Sequence, residues 1–222
     1  MSINRSRFII SYSCGKDSTL ALYRMLKEGC TPAALLITVN KETKKSFSHE
    51  VPAELLDKVS ESLEIPLMIV DCEGKDYLMA FEKALIRAKE AGAEVCVFGD
   101  IDLMEHRVWC TARCDAAGIK AEFPLWEEDR ESIAAEFVDA GFKAIIKSVQ
   151  PDKLSGCFLG KTLSREVIEE IKAAGADACG ENGEYHTFVY DGPIFKKPVE
   201  FSAGERLTSG SYECLNISIK NS

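Results

Sequence analysis

The residues best suited to chemistry in this 222-residue chain lie in one short run, Ser13-Cys14-Gly15-Lys16-Asp17-Ser18. Small residues let a backbone approach an anion, successive N–H groups in such a turn can form a concave nest, and Lys16 adds a full positive charge. Ser13 and Ser18 bring hydroxyl donors. Asp17 would repel a phosphate unless it holds a cation, and a carboxylate beside phosphate suits Mg2+. Two familiar nucleotide loops are excluded. A Walker-type loop needs Gly five residues before the Gly-Lys pair and Ser or Thr after it, where Ile10 and Asp17 stand. No Gly-x-Gly-x-x-Gly occurs either. An ordinary strand-to-helix turn could carry the same residues, and the turn alone does not separate the two readings.

A second run, residues 180–195, reads Gly-Glu-Asn-Gly-Glu-Tyr-His-Thr-Phe-Val-Tyr-Asp-Gly-Pro-Ile-Phe. Gly180 to Gly183 suggest a turn carrying Glu181 and Glu184, and Thr187–Tyr190 a strand ended by Asp191-Gly192-Pro193. Taken alone, this is equally a hairpin with solvated carboxylates. His186 has the near-neutral titration of a proton carrier. Gly99 and Asp100 follow an apolar run, and His49 follows a lysine-rich loop. The nine cysteines are odd in number and scattered, with no Cys-x-x-Cys. Cys110 and Cys114 can share a helix face but lack the further ligands of a zinc site, so reduced thiols are expected.

These residues need elements to hold them. Phe8–Tyr12, Ala33–Val39, Leu67–Val70, Glu94–Phe98 and Lys120–Phe123 read as strands. Helical stripes lie between them: Leu20 to Leu26 ending near Gly29, Leu55 to Leu63 behind Pro52, Tyr77 to Ala88, and Glu105–Ala117 closed by Gly118. Asn40–Glu50 is a polar loop. Strict alternation of strand and helix predicts an α/β, doubly wound, mainly parallel sheet. Such sheets bind ligands at the carboxyl ends of their strands, near the reversal of strand order. After Pro124 the pattern loosens into a smaller α+β part. It has a stripe at Ile133–Val138, a strand at Phe142–Lys147, and a helix capped by Ser164. Strands follow at Thr187–Tyr190 and Val199–Phe201, then an alternating strand through Leu215, Ile217 and Ile219. We divide the chain into 1–124 and 125–222, two parts packed together.

Composition narrows the function. With 27 Lys+Arg against 36 Asp+Glu the net charge is −9, which argues against stable nucleic-acid binding, since that needs a basic surface to replace counterions. No apolar run reaches the ~18–20 residues of a membrane span. The start, MSINRSRFIISYSCG, has too short an apolar stretch for a signal peptide, so a cytoplasmic protein is expected.

Ser13–Ser18 resembles the Ser-Gly-Gly-Lys-Asp-Ser loop of the PP-loop ATP pyrophosphatases, with Cys14 where that loop has Gly. Residues 180–195 resemble the Gly-Glu-Gly-Gly-Glu-Tyr-Glu-Thr-Phe-Val signature of the diphthine–ammonia ligase family, with His186 where many members have Glu. Gly99-Asp100-Ile101, Phe123–Trp126 and Ala140–Ile146 look like further family blocks, so the likeness runs from about Phe8 to about Val199. It implies an adenine nucleotide α-hydrolase-like (HUP-type) sheet and an amide ligase that splits ATP to AMP and pyrophosphate. It also implies roles: Ser13, Cys14, Gly15, Lys16, Asp17, Ser18, Gly99 and Asp100 at ATP, Lys16 and Asp17 catalytic, and Asp17 on Mg2+. Ile37–Val39, at the end of the second strand with apolar or small side chains, would border adenine through backbone groups. Glu181, Glu184, His186 and Thr187 would face the acceptor, with Trp126 and Tyr185 as aromatic candidates for a quaternary ammonium or for core packing. The implied partners are ATP, ammonia and a carboxylate, either diphthine on an elongation factor or another acid. A tRNA-modifying relative and a non-catalytic nucleotide sensor are the competing classes, and a homo-oligomer is left open. Nothing resembles a glutaminase domain, so free ammonia is the expected nitrogen source.

Overall fold

The computed structural model describes residues 6–47 and 49–220. The first five residues, part of the stretch read for a signal peptide, lie outside them, as does position 48 of the expected Asn40–Glu50 loop. The first part runs β1 (Arg7–Ser11), α1 (Lys16–Lys27), β2 (Thr31–Asn40), α2 (Ala53–Leu63), β3 (Leu67–Cys72), α3 (Tyr77–Glu90), β4 (Val95–Val97), α4 (Met104–Ala117) and β5 (Lys120–Glu122). The five strands form one parallel sheet in the order β3-β2-β1-β4-β5.

The apolar runs of β1 and β2 are explained by two-sided burial. Successive side chains point to opposite faces, so Phe8, Ile10, Leu35 and Ile37 join one core with Leu20 and Leu56, from α1 and α2. Ile9, Leu36 and Cys96 join another with Phe81, Leu85 and Cys114, from α3 and α4. Helices on both faces leave no polar side for these strands, hence continuous rather than alternating hydrophobicity. The strand order reverses between β1 and β4, so the turns after these two strands flank the crevice.

The second part contains α5 (Arg130–Asp139), β6 (Lys143–Val149), α6 (Arg165–Ala173), β7 (Tyr185–Asp191), β8 (Phe201–Ser209) and β9 (Tyr212–Ile219). Its strands make an antiparallel sheet in the order β7-β6-β9-β8. Ser164 caps α6 as expected, its Oγ accepting from the Val167 N–H at 3.3 Å. Asp129 caps α5 in the same way, accepting from the Ser132 N–H at 2.8 Å. The sequence reading found only the first residue of β8. That strand is at the sheet edge and exposed along nearly its whole length, so no apolar alternation marks it. It also began β7 two residues late, taking Tyr185 and His186 as part of the loop. The alternation in β9 is real: Leu215 and Ile217 are buried, Asn216 and Ser218 exposed.

The two parts share one core, which continues from α1 and α2 through Leu125, Phe137 and Phe142 to Ile146, Phe188 and Ile217. Backbone bonds stitch them: the Val189 N–H donates to the Cys14 carbonyl at 2.8 Å and the Lys196 N–H to the Ser62 carbonyl at 2.8 Å. Arg24 of α1 adds ion pairs to Glu128 and Glu136. The nine cysteines are free thiols, all buried except Cys157. Among the described residues no helix is long and apolar enough to cross a membrane.

Candidate active site

A cleft of about 680 Å3 opens where the strand order reverses. That volume is ample for a small-molecule substrate. One wall is the turn after β1 with the turn after β4; the other is the segment 179–187 of the second part. The two sequence signatures, far apart in the chain, therefore face each other.

The first wall is built locally. Cys14 has φ 63°, so the backbone does turn left-handed here, and its Cβ sits in a conformation that favours glycine by ~1 kcal/mol. The side chain is fully buried in the shared core, which offsets that strain. Ser13 Oγ accepts from the Gly15 N–H at 3.2 Å and lies 3.0 Å from Ser18 Oγ, which donates to the Gly15 carbonyl at 3.1 Å. Thr187 Oγ1 accepts from the Lys16 N–H at 3.0 Å. The expected nest is thus partly closed, because the Gly15 and Lys16 N–H groups already have partners within the protein. Gly15 must be Gly for another reason: a Cβ there would lie 2.3 Å from the His49 ring. Gly99 is constrained alike, since a Cβ would lie 2.7 Å from the Ser18 backbone nitrogen. Close approach of the β4 turn to the start of α1 brings Asp100 into the cleft.

Lys16 is buried, and its Nζ contacts both Asp17 carboxylate oxygens at 2.8 and 2.7 Å. Burial alone would lower its pKa, but the Asp17 carboxylate overrides this and holds the ammonium charged, the pKa raised. Burial pushes the Asp17 carboxyl upward while Lys16 pulls it back; the bidentate contact is that of an ion pair. Asp17 and Asp100 supply oxygen donors of the kind Mg2+ takes beside phosphate, although among the described residues no three His, Cys, Asp or Glu side chains are assembled as a metal cluster.

The second wall is held by its own scaffold. Asp177 Oδ2 accepts from the Glu181 N–H at 2.8 Å and from Arg130 at 2.8 Å, and its Oδ1 from the Cys179 N–H at 3.2 Å. Arg130 also grips both oxygens of Asp102, in the turn after β4, at 2.6 and 2.7 Å. Glu181 lines the cleft, and its carboxyl is pushed up to about 7 by burial first, then by the charge of Asp17; Lys16 opposes and Asp100 adds.

Glu184 departs from expectation. It is buried behind the loop, where Oε2 accepts from the Asn182 N–H at 3.1 Å and Oε1 from the Asn182 side chain at 3.2 Å. Its carboxylate braces the turn rather than facing an acceptor. His186 lines the cleft, but not as a near-neutral proton carrier. Its ring lies on His49 at 4.8 Å and on Tyr212 at 5.1 Å. Burial, with Lys16 and Lys147 adding to it, lowers its pKa to about 4, so it is a neutral imidazole at pH 7 and not a near-neutral proton carrier. Thr187 and His49 reach the cleft together, His49 Nδ1 lying 2.9 Å from the Thr187 carbonyl oxygen.

Ile37–Val39, expected to border adenine through backbone groups, are not among the residues lining the cleft. Ile37 and Val39 are buried, and Tyr77, hydrogen-bonded to the Thr38 side chain, lines the cleft with Phe81, Phe98 and Trp109. This aromatic wall escaped the sequence reading because Tyr77 and Phe81 look like any helix core pair. Tyr185 is buried with its hydroxyl donating to the Ala178 carbonyl at 2.5 Å and its ring 5.6 Å from Lys16 Nζ. Trp126 packs under Arg107, whose guanidinium carbon is 4.4 Å from the ring centroid.

The diphthamide synthase N-terminal domain model matches residues 6–121, and the diphthamide synthase C-terminal domain model residues 129–220. The chain is 31% identical over 223 residues to a diphthine–ammonia ligase of Homo sapiens, covering 87% of this chain and 82% of that one. It is 28% identical over 220 residues to that of Rattus norvegicus, with the same coverage. A solved Methanocaldococcus jannaschii structure, titled a predicted subunit of tRNA methyltransferase, overlays with a TM-score of 0.44 at 16% identity. It covers 87% of this chain and 100% of that one, and is too distant to bear on function.

Proposed function

The chain belongs to the diphthamide synthase family, and on that premise we infer that the cleft couples ATP cleavage to amide formation, as an AMP-forming carbon–nitrogen ligase. The single observation that supports this reading most is that Lys16 and Glu181, from the two signatures, line one cleft. Within it, 1–124 is the ATP part and 125–222 the acceptor part.

An acceptor carboxylate oxygen attacks the α-phosphorus of ATP; the bond to the bridging oxygen breaks, and pyrophosphate leaves with the electron pair. Lys16 stabilises the charge that develops on that oxygen, and the Ser13–Ser18 turn orients the polyphosphate. Ammonia then attacks the acyl carbon, and the bond to AMP breaks. The nitrogen must lose a proton, and Glu181, near neutrality in its titration, is the base that accepts it. Asp17, with Asp100 beside it, would hold Mg2+, which when bound neutralises charge on the polyphosphate. The curated relatives are diphthine–ammonia ligases, and a diphthine-like carboxylate is the first acceptor to test. One observation favours a different acid: His186 is neutral where a carboxylate would attract diphthine's quaternary ammonium.

The test is to incubate the protein with ATP, Mg2+, ammonium and candidate carboxylates and to identify the nucleotide product. AMP and pyrophosphate formed only with both carboxylate and ammonium are expected; ADP as product overturns the reading.

A further inference from the structure

Lys147 is a buried cation for which the scheme above has no use. It lies in the middle of β6, 3% exposed. Among the described residues its ammonium makes no hydrogen bond or ion pair; only burial and more distant charges act on it. An uncompensated buried charge is costly, so its presence calls for a reason.

The backbone supplies one. In the β6–β7 ladder Ile146 faces Thr187 and Ser148 faces His186, so Lys147 is the extra residue of a β-bulge. Bulges re-aim a side chain and are frequent beside active sites. This one lies opposite the two β7 residues that meet the Ser13–Ser18 turn and His49. Lys147 and Lys16 both act on the His49 and His186 rings; Cys214 and Glu50 favour the Lys147 charge and Lys45 opposes it. The charges of two lysines thus reach one pair of uncharged imidazoles, which line the cleft although Lys147 itself does not.

We propose that Lys147 is a second cation of the polyphosphate site, acting across the His49 and His186 rings on the two phosphates that depart as pyrophosphate. His49 and His186 act as neutral hydrogen-bonding groups between it and Lys16. The ligand is an inorganic polyanion or the β,γ end of a nucleoside triphosphate. The inference rests on the ATP-cleaving reading, yet is tested without the acceptor.

The experiment compares binding of inorganic pyrophosphate and of AMP, by calorimetry, to the intact protein and to Lys147→Met. Loss of that buried charge should weaken pyrophosphate about tenfold and leave AMP unchanged, because AMP lacks the departing phosphates. The Met variant should melt no lower than the parent, since an apolar group replaces an unpartnered charge. Lys147→Gln, neutral but still hydrogen bonding, should show the same selective loss, and Lys147→Arg should recover part of it. Equal weakening of AMP, or pyrophosphate binding that is absent or unchanged in both neutral variants, overturns the proposal. Pyrophosphate binding that depends on Lys147, without AMP formation from any carboxylate, keeps this proposal and overturns the ligase reading instead.

Discussion

The two walls of the cleft reach the same place by opposite means. The Ser13–Ser18 wall is largely local: its hydroxyls bond within six residues and its cation pairs with the next residue along, while Thr187 and Val189 of β7 add one bond each. The Glu181 wall depends on remote struts. Asp177, Arg130 and Asp102 run in a chain from the acceptor loop to the turn after β4, and Glu184 fills the loop from behind. A local wall tolerates change elsewhere and fails when its own residues change. A strutted wall fails when a residue far from the chemistry is lost.

The largest effect should come from the local wall. Lys16→Ala should lower AMP formation by at least a thousandfold, about the scale of removing a principal charge stabiliser. It should also cost ~2–3 kcal/mol in urea unfolding, because Asp17 loses its partner but keeps some solvent. Residual activity near wild type would break the assignment of this wall to the polyphosphate. Next comes Glu181→Gln. As the acting base is the carboxylate, wild-type turnover at constant free ammonia should rise with pH through about 7, whereas under the same condition the Gln variant should be about a hundred- to ten-thousandfold slower and flat. A pH profile that survives the substitution would remove Glu181 from the chemistry.

Arg130→Met tests the strut. It should raise the acceptor KM and lower kcat modestly, about tenfold together, with ATP affinity kept. Equal loss for ATP would mean the two walls are not independent. A smaller effect is on stability against pH. His186 titrates at about 4 when folded and near 6.5 when unfolded, so the unfolded chain binds the proton first. Its contribution to stability is present above pH 6.5 and falls as pH drops toward 4. Glu181, raised to about 7 from 4.5, works the other way between those values. His186→Asn should therefore gain in melting temperature relative to the parent as the pH falls from 6.5 toward 4, with Glu181 unopposed. The smallest effect is expected from Cys14→Gly: relief of a left-handed Cβ against loss of a buried thiol, within about 1 kcal/mol and without change in turnover.

The same contrast governs what could be read from sequence. The parallel sheet was legible because β1 and β2 are buried on both faces, and the Ser13–Ser18 wall because its partners are neighbours in the chain. Family likeness added the roles of Gly99 and Glu181. Arg130 and Asp177 were not legible, since nothing in an Arg and an Asp 47 residues apart marks them as partners. Glu184 was misread because spacing along a turn does not tell which of two acids faces out. Lys147 gave no signal at all, because a bulge is a property of two strands together.

The bonds from Thr187 to Lys16 and from Val189 to Cys14 have a consequence for the order of events during synthesis. Residue 16 leaves the ribosome 171 positions before residue 187, about 9–34 s earlier at ~5–20 residues per second. Until then the turn lacks a partner for its first helical N–H and the ceiling under which His49 packs. A nascent chain can complete most of its parallel sheet in that interval, but it cannot close the cleft. The cleft is therefore completed only after residue 187 has been made, when the second wall exists to face the first.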